Sequence, residues 1–471
     1  MNIRWALLML VVALPSYLIR FSMFGAPFTI LESMIVLIFL AWLAKDWKNK
    51  LNHIKLAIGN KRKLKKINYP FSKEIILLLV VSVISVGVVG FSNNALGLLK
   101  AYFLEPIMLY IVVINVVRLN TKNIRTFGPE SIILALATSA MLLSFFAIVQ
   151  KYTGFGMPLD WVAEGRVTSV YSYPNALGLY LGPIVLLMIG LLFNRLKAKY
   201  QFSTKALSSK EDNKINIYKN SFLTIAILSS VMAIVFAKSE GAILGIIVGI
   251  LIFGLLGNKK SRIITIIVII VSVVGIFFWQ AKDIRVQKKL LFKDVSSTIR
   301  IIGWKETIFM LKDKHWLWGT GLSGFQSAVK PYHVDGFFYN FDDDPDFRRK
   351  IVIFDDRYKS KYWQPLEIYM YPHNIFLNFW VELGLAGMII FIWLIIKFLY
   401  FSIRFVNDPR FANNKYLISG LLSSMIVIVI HGMFDVPYFK NDLACLFWLI
   451  VALLSVIKLN YYSKDLSWKL K

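Results

Sequence analysis

The chain has 471 residues, 57% hydrophobic and 15% aromatic, with a mean hydropathy of +0.62 and a formal net charge of +27. Apolar runs long enough to cross a bilayer recur along it, so it is read as an integral membrane protein and a soluble globular class is excluded. The excess of Lys and Arg falls in alternate loops between those runs, so it is topological; membrane lipids are its expected partner, and nucleic acid is not.

In chain order, apolar spans are expected near 5–23, 28–44, 74–91, 102–117, 130–150, 174–194, 221–237, 241–256, 263–280, 374–398, 415–431 and 442–458. The first is expected to remain as a span, since no small-residue cleavage site follows it. The expected fold is an all-α polytopic membrane protein of about twelve transmembrane helices, with one long, largely helical extracytoplasmic loop before helix ten. Segment 45–73 carries ten basic residues against the single acid Asp46, which marks it as cytoplasmic. Alternation then puts both termini and loops 118–129, 195–219, 257–262 and 399–414 inside, and 281–373 outside. Three regions result: 1–280 with nine helices, 281–373 as the long loop, and 374–471 with three helices and a basic tail. Segment 197–219 is polar and reads as a mobile linker. A lone cysteine, Cys445, lies in an apolar run and reads as packing.

The long loop has no span-length apolar run. Its first half reads as an amphipathic helix over 297–312, with Ile301, Trp304, Ile308 and Leu311 on one face, ended by a Gly-rich turn at 319–324. Span ten opens with "PHNIFLNFWVELGLAG" (372–387), which sets His373 and Asn374 before a long apolar helix containing Glu382. By topology, His373 shares the outer face with Arg166 in "EGRVTSVYSYPNALG", with Arg300 on the amphipathic helix, and with His431 and Asp435 in "HGMFDVPYFKND". Two arginines and a histidine there suit an anionic lipid head group: a guanidinium grips phosphate oxygens at two points, and imidazole exchanges a proton near neutrality.

Those stretches, together with "GTGLSGFQ" (319–326) and the position of the long loop before span ten, resemble the bacterial O-antigen ligase and O-antigen polymerase superfamily over most of the chain. The resemblance implies a membrane glycosyltransferase that moves a saccharide from an undecaprenyl-pyrophosphate-linked glycan donor to an acceptor hydroxyl, without cofactor or metal and with inversion. It implies a catalytic His373, with Arg166 and Arg300 holding the pyrophosphate. It also implies a site on the extracytoplasmic (periplasmic) face of a bacterial inner, or plasma, membrane. The acceptor is a glycan or a lipid A-core in a ligase and another lipid-linked repeat in a polymerase. One departure is "AKSEGAILG": many members have Ser-Arg-Gly at this hairpin, whereas this chain has Glu240, with Lys238 close by to supply charge.

Simpler roles stand beside these. His373 and Asn374 also suit a helix start, Asn374 as its cap. Arg166 and Arg300 also suit surface ion pairs. Glu382, about 12 Å into its span, is expected to face protein or water in support of the cavity. His431 and Asp435 are expected to give orienting support, and "FDDDPDF" (341–347) reads as a solvated loop rather than a metal site. A lipid-linked oligosaccharide flippase or other transporter is the rival class, but the polar groups gather at one face and the two halves do not echo each other.

The topology is testable in a Cys445→Ala background. A cysteine placed at Lys48 is expected to react with a membrane-impermeant maleimide only from the cytoplasmic side, and one at Lys330 only from the opposite side. Labelling of both from one side would overturn the assignment.

Overall fold

The computed structural model describes residues 2–23, 26–45, 69–117, 127–203, 210–280, 293–353 and 356–468. Much of the basic segment 45–73, most of 118–129 and the first residues of the 281–373 segment lie outside the described residues. The helices are α1 (Ile3–Val12), α2 (Ile30–Ala44), α3 (Ser72–Val88), α4 (Asn93–Leu99) and α5 (Glu105–Val116). They continue with α6 (Pro129–Thr153), α7 (Pro174–Ser203), α8 (Lys210–Phe236), α9 (Glu240–Leu255) and α10 (Lys259–Gln280). The last are α11 (Val295–Met310), α12 (Ile375–Asn407), α13 (Lys415–Gly432) and α14 (Asn441–Trp468).

Among the described residues, seven helical segments are long and apolar enough to cross a membrane: 93–116, 129–153, 174–197, 215–236, 375–407, 409–432 and 441–459. Each of the twelve expected apolar runs contains helix, but several are shorter than a bilayer's width, among them α1, α2 and α9. The first run departs most from expectation. Pro15 stands at the start of a 3-10 turn, Leu14–Leu18, and the chain then forms an antiparallel hairpin, β1 (Arg20–Met23) with β2 (Ala26–Thr29). Proline lacks the N–H that a continuing helix needs, so α1 stops at Val12. The expected linker at 197–219 is also corrected: α7 runs on to Ser203 and α8 begins at Lys210.

The core is built on α7, α13 and α14. Gly190 and Gly420 let α7 and α13 touch backbone to backbone, since a Cβ on Gly190 would lie 2.6 Å from the Gly420 Cα. Ser424 donates to the Pro183 carbonyl at 2.7 Å, closing a backbone acceptor inside the bundle. Helix α14 packs on α5, and α12 lies between α3 and α13. Across that contact Lys397 of α12 meets Glu74 of α3 at 2.7 Å.

Helix α12 is broken at Gly384, which takes φ 74° and ψ 178°. In a straight helix the Leu385 N–H would donate to the Val381 carbonyl. Here Leu385 N–H donates to Leu317 O at 3.0 Å, and Val381 O accepts from Thr320 N–H at 2.7 Å. The Glu382 carboxyl accepts the Ser323 N–H at 2.8 Å, while Ser85 of α3 donates to the Glu382 carbonyl and accepts the Leu322 N–H at 2.9 Å. The Gly-rich turn expected at 319–324 is thus a plug that satisfies a split helix. Glu382 braces that plug from a buried position.

Helix α11 spans 295–310 and passes into a π turn, Leu311–His315. Its buried face differs from the expected stripe: Glu306, Thr307, Met310 and Leu311 are buried, Ile301 and Trp304 are half-buried, and Ile308 is exposed. The reason is tertiary, since the face turned inward is the one that meets Phe325, Val329 and Val381. The rest of the segment is mixed, with short helices at Phe325–Val329, Phe347–Ile353 and Asp356–Tyr362 and a strand pair, β3 (Gly336–Phe338) with β4 (Trp363–Pro365).

A Cβ at position 384 would lie 2.4 Å from Leu317 O, on a backbone that L residues rarely adopt. Gly384→Ala is therefore expected to cost about 2 kcal/mol or more of stability, combining backbone strain with displacement of the plug. Thermal unfolding in detergent reads this out, and an unchanged midpoint would show that the seam constrains nothing.

Candidate functional site

His373 stands immediately before α12 with φ +47°, an uncommon backbone for a non-glycine residue. The strain is held by its neighbours. Asn374 caps α12 by accepting from the Phe376 and Leu377 N–H groups at 3.0 and 3.1 Å, and its amide donates to Met433 O at 3.2 Å. The Tyr369 ring stands edge-on to the imidazole with centroids 5.0 Å apart.

The Met433 contact ties His373 to the turn between α13 and α14, residues 433–440, which carries Asp435. Asp435 Oδ1 lies 3.7 Å from His373 Nδ1, an ionic contact longer than a hydrogen bond. Burial disfavours the Asp435 charge, but His373, His431 and the Val436 N–H together outweigh burial and hold the carboxyl below its ordinary range. Asp435 is therefore an anion at neutral pH, aimed at one imidazole nitrogen. His431 is buried beneath it, and Gly241 at the start of α9 makes room, since a Cβ there would lie 2.5 Å from the His431 ring. The turn itself is anchored in an aromatic core: Tyr438 donates to Tyr102 O at 2.8 Å and accepts from Trp448 Nε1 at 3.0 Å.

His373 lines a cleft between α11 and residues 366–373. Arg300, Gly303 and Glu306 form the α11 wall, with Tyr369, Tyr371 and Pro372 opposite and Phe325 and Val329 among the apolar lining. Arg300 keeps a local bond to Ser296 Oγ at 2.9 Å. Deeper in, His333 bridges Glu306 at 3.4 Å and Leu366 O at 3.2 Å, and Glu306 also accepts the Val334 N–H at 2.8 Å. Of the residues expected at one face, Arg300 and His373 both line this cleft.

Arg166 is placed differently. Its Nε donates to Ala237 O at 3.0 Å, its two terminal nitrogens meet Glu164 at 3.4 Å and Asn175 at 3.2 Å, and the guanidinium stacks on Trp161 at 5.2 Å. It does not line the His373 cleft. It binds the 154–173 loop to the end of α8 and the start of α7. Lys238 is committed similarly, donating to Glu164 O at 2.7 Å, and Glu240 opens α9 beside it on an exposed surface.

Sequence reasoning missed what joins these halves. Lys440 lies with its ammonium 4.4 Å from the Tyr173 ring centre and 5.0 Å from that of Tyr171. Tyr171 donates to the buried Asp442 carboxylate at 2.9 Å. Burial, more than any neighbour, lowers the Lys440 ammonium from its ordinary value. Burial also pushes the Tyr173 hydroxyl well up, with Asp435, Tyr371, Tyr17 and Asp442 adding to the effect. Both partners were visible in the singled-out motifs, as "YSYPN" and "YFKND", but nothing in either string says that they dock.

In the acidic run, Asp342 bonds Lys361 at 3.0 Å and Tyr362 at 2.5 Å, while Asp344 bonds Lys350 at 2.5 Å and Tyr358 at 3.2 Å. These carboxylates cross-link the segment's own helices. Among the described residues, no group of three or more His, Cys, Asp or Glu stands together as a metal site.

Fold and site together define a multi-helix membrane protein with a cleft between α11 and residues 366–373 that is lined by both charged and apolar side chains. Residues 223–392 match the family described as O-antigen ligase. The match includes Arg300, His373 and Glu382; Arg166, His431, Asp435 and Lys440 lie outside it. No curated protein matches the chain.

The two arginines should respond differently to removal. Arg166→Ala is expected to speed amide hydrogen exchange across 159–173, because it deletes the loop's ties to Ala237 and Asn175. Arg300→Ala, which breaks only a bond within α11, should leave that exchange unchanged. Equal exchange in both variants would remove the distinction.

Proposed function

We propose that the protein is a metal-independent, inverting glycosyltransferase that acts at the extracytoplasmic face of a bacterial plasma membrane. It moves a saccharide from an undecaprenyl-pyrophosphate donor to an acceptor hydroxyl, as a ligase. A repeat-unit polymerase would use the same chemistry with a lipid-linked glycan as acceptor. The observation that carries the reading is the cleft in which Arg300 and His373 face a common space while Asp435 backs the imidazole.

With Nδ1 turned to Asp435, His373 presents Nε2 to the cleft. The carboxylate favours the tautomer with a proton on Nδ1 and stabilises the imidazolium once it forms. The acceptor oxygen attacks the anomeric carbon of the donor sugar, its proton passes to Nε2, and the bond from that carbon to the phosphate oxygen breaks. The electron pair leaves with the pyrophosphate. Arg300 meets the charge growing there, a form of stabilisation worth about 3 kcal/mol for one well-placed group. Arg166 acts on the same anion from the opposite loop, or through the loop it orders. One attack with one departure inverts the centre.

Release of undecaprenyl pyrophosphate from a labelled lipid-linked glycan, with EDTA present, tests this. His373→Ala is expected to lower turnover by about 10²- to 10⁴-fold while donor binding persists, the range of general base catalysis. Asp435→Asn, which keeps shape and removes charge, should lower kcat by about 10²-fold with KM little changed. Full activity of His373→Ala would reduce that residue to a helix start and sink the mechanism, and loss of wild-type activity in EDTA would sink metal independence.

A further inference from the structure

Lys440 is a cation whose surroundings do not supply its counter-charge. It lies half-buried between the rings of Tyr171 and Tyr173, and among the described residues no carboxylate forms an ion pair with it. The carboxylates that influence it, Asp442 and Asp435, are engaged elsewhere, Asp442 by the Tyr171 hydroxyl and the Leu443 N–H, and Asp435 by His373 and the Val436 N–H. Two aromatic faces return only part of the cost of desolvating an ammonium. Nearby, the Tyr17 hydroxyl is buried without a hydrogen bond among the described residues, close enough to interact electrostatically with Tyr171, Tyr173 and Asp442.

We infer that Lys440, clamped by Tyr171 and Tyr173, is a further phosphate-binding residue of the site, set to contact the donor's pyrophosphate together with the Tyr173 and Tyr17 hydroxyls. This rests on the proposed use of a pyrophosphate-linked donor. The chemistry fits an anion on three counts. The ammonium offers three N–H donors and its aromatic clamp consumes none of them. The Tyr173 hydroxyl stays protonated at neutral pH and so remains a donor. Lys440 and Asp435 also share the 433–440 turn, so a phosphate held by the lysine lies on the element that backs His373. Arg300 reaches that anion from α11 on one side and Lys440 from the α14 side. The turn thereby couples leaving-group binding to the position of the base.

The test is calorimetric titration of the purified full-length protein with inorganic pyrophosphate and with a short-chain polyprenyl pyrophosphate, without metal. Lys440→Met, Lys440→Arg, Tyr173→Phe and Arg300→Ala are compared with wild type. Lys440→Met is expected to weaken binding by about 10-fold or more, the worth of a charge-assisted bond, whereas Lys440→Arg stays within about 3-fold of wild type. Binding by Lys440→Met equal to wild type, with Arg300→Ala weakened, would overturn the assignment of Lys440 and leave the donor reading standing. Failure of wild type to bind either probe would overturn both. If Lys440→Met does not fold, Tyr173→Phe decides, because it keeps the aromatic clamp and removes only the hydroxyl: weaker binding supports the site, and unchanged binding overturns it.

Discussion

A helix cannot be broken inside an apolar bundle unless something accepts and donates the hydrogen bonds that the break sets free. That constraint organises this molecule. Gly384 splits α12, and the 317–323 backbone fills the gap with Leu317 O, Thr320 N–H and Ser323 N–H. Because the plug belongs to the segment that also carries α11, satisfying the break fixes α11 against α12. The cleft between Arg300 and His373 follows from that fixation. Gly319 complements Gly384, since a Cβ on it would strike Val381 O at 2.3 Å. Both backbones must be bare for the seam to close.

The second organising element is the 433–440 turn. It is short, and Tyr438 and Phe439 root it in an aromatic core with Phe379 and Phe391. From that base it presents Asp435 toward His373 and Lys440 toward the tyrosines before α7. Two sequence-distant segments, at 171–173 and at 373, therefore both contact this one turn.

Charge placement follows the same economy. Arg166 and Lys238 are spent on backbone carbonyls and neighbouring side chains, which orders a loop; Arg300 and Lys440 keep donors that the protein does not use fully. Arginines that look alike in sequence thus differ in how far the protein's own groups occupy their donors. Glu240, at the start of α9, falls beside the building group and next to the glycine that admits His431.

The sequence by itself determined the membrane class and where most of the apolar helices lie, carried the likeness to the O-antigen ligase family found over 223–392, and singled out His373, Arg300, Arg166 and Asp435 as candidates. These are legible because hydropathy, charge alternation and short motifs are local properties of the chain. It also showed that Glu382 had to be internal, since an ionisable group within a span has few other options. Only the tertiary structure decided which partners these residues have. That Pro15 ends the first helix in a hairpin, that α11 turns Thr307 and Met310 inward rather than Ile308, and that Glu382 braces a loop rather than a neighbouring helix all depend on what packs opposite. The same holds for Lys440: its two tyrosines lie more than two hundred residues away in the chain, and no periodicity encodes a contact at that separation.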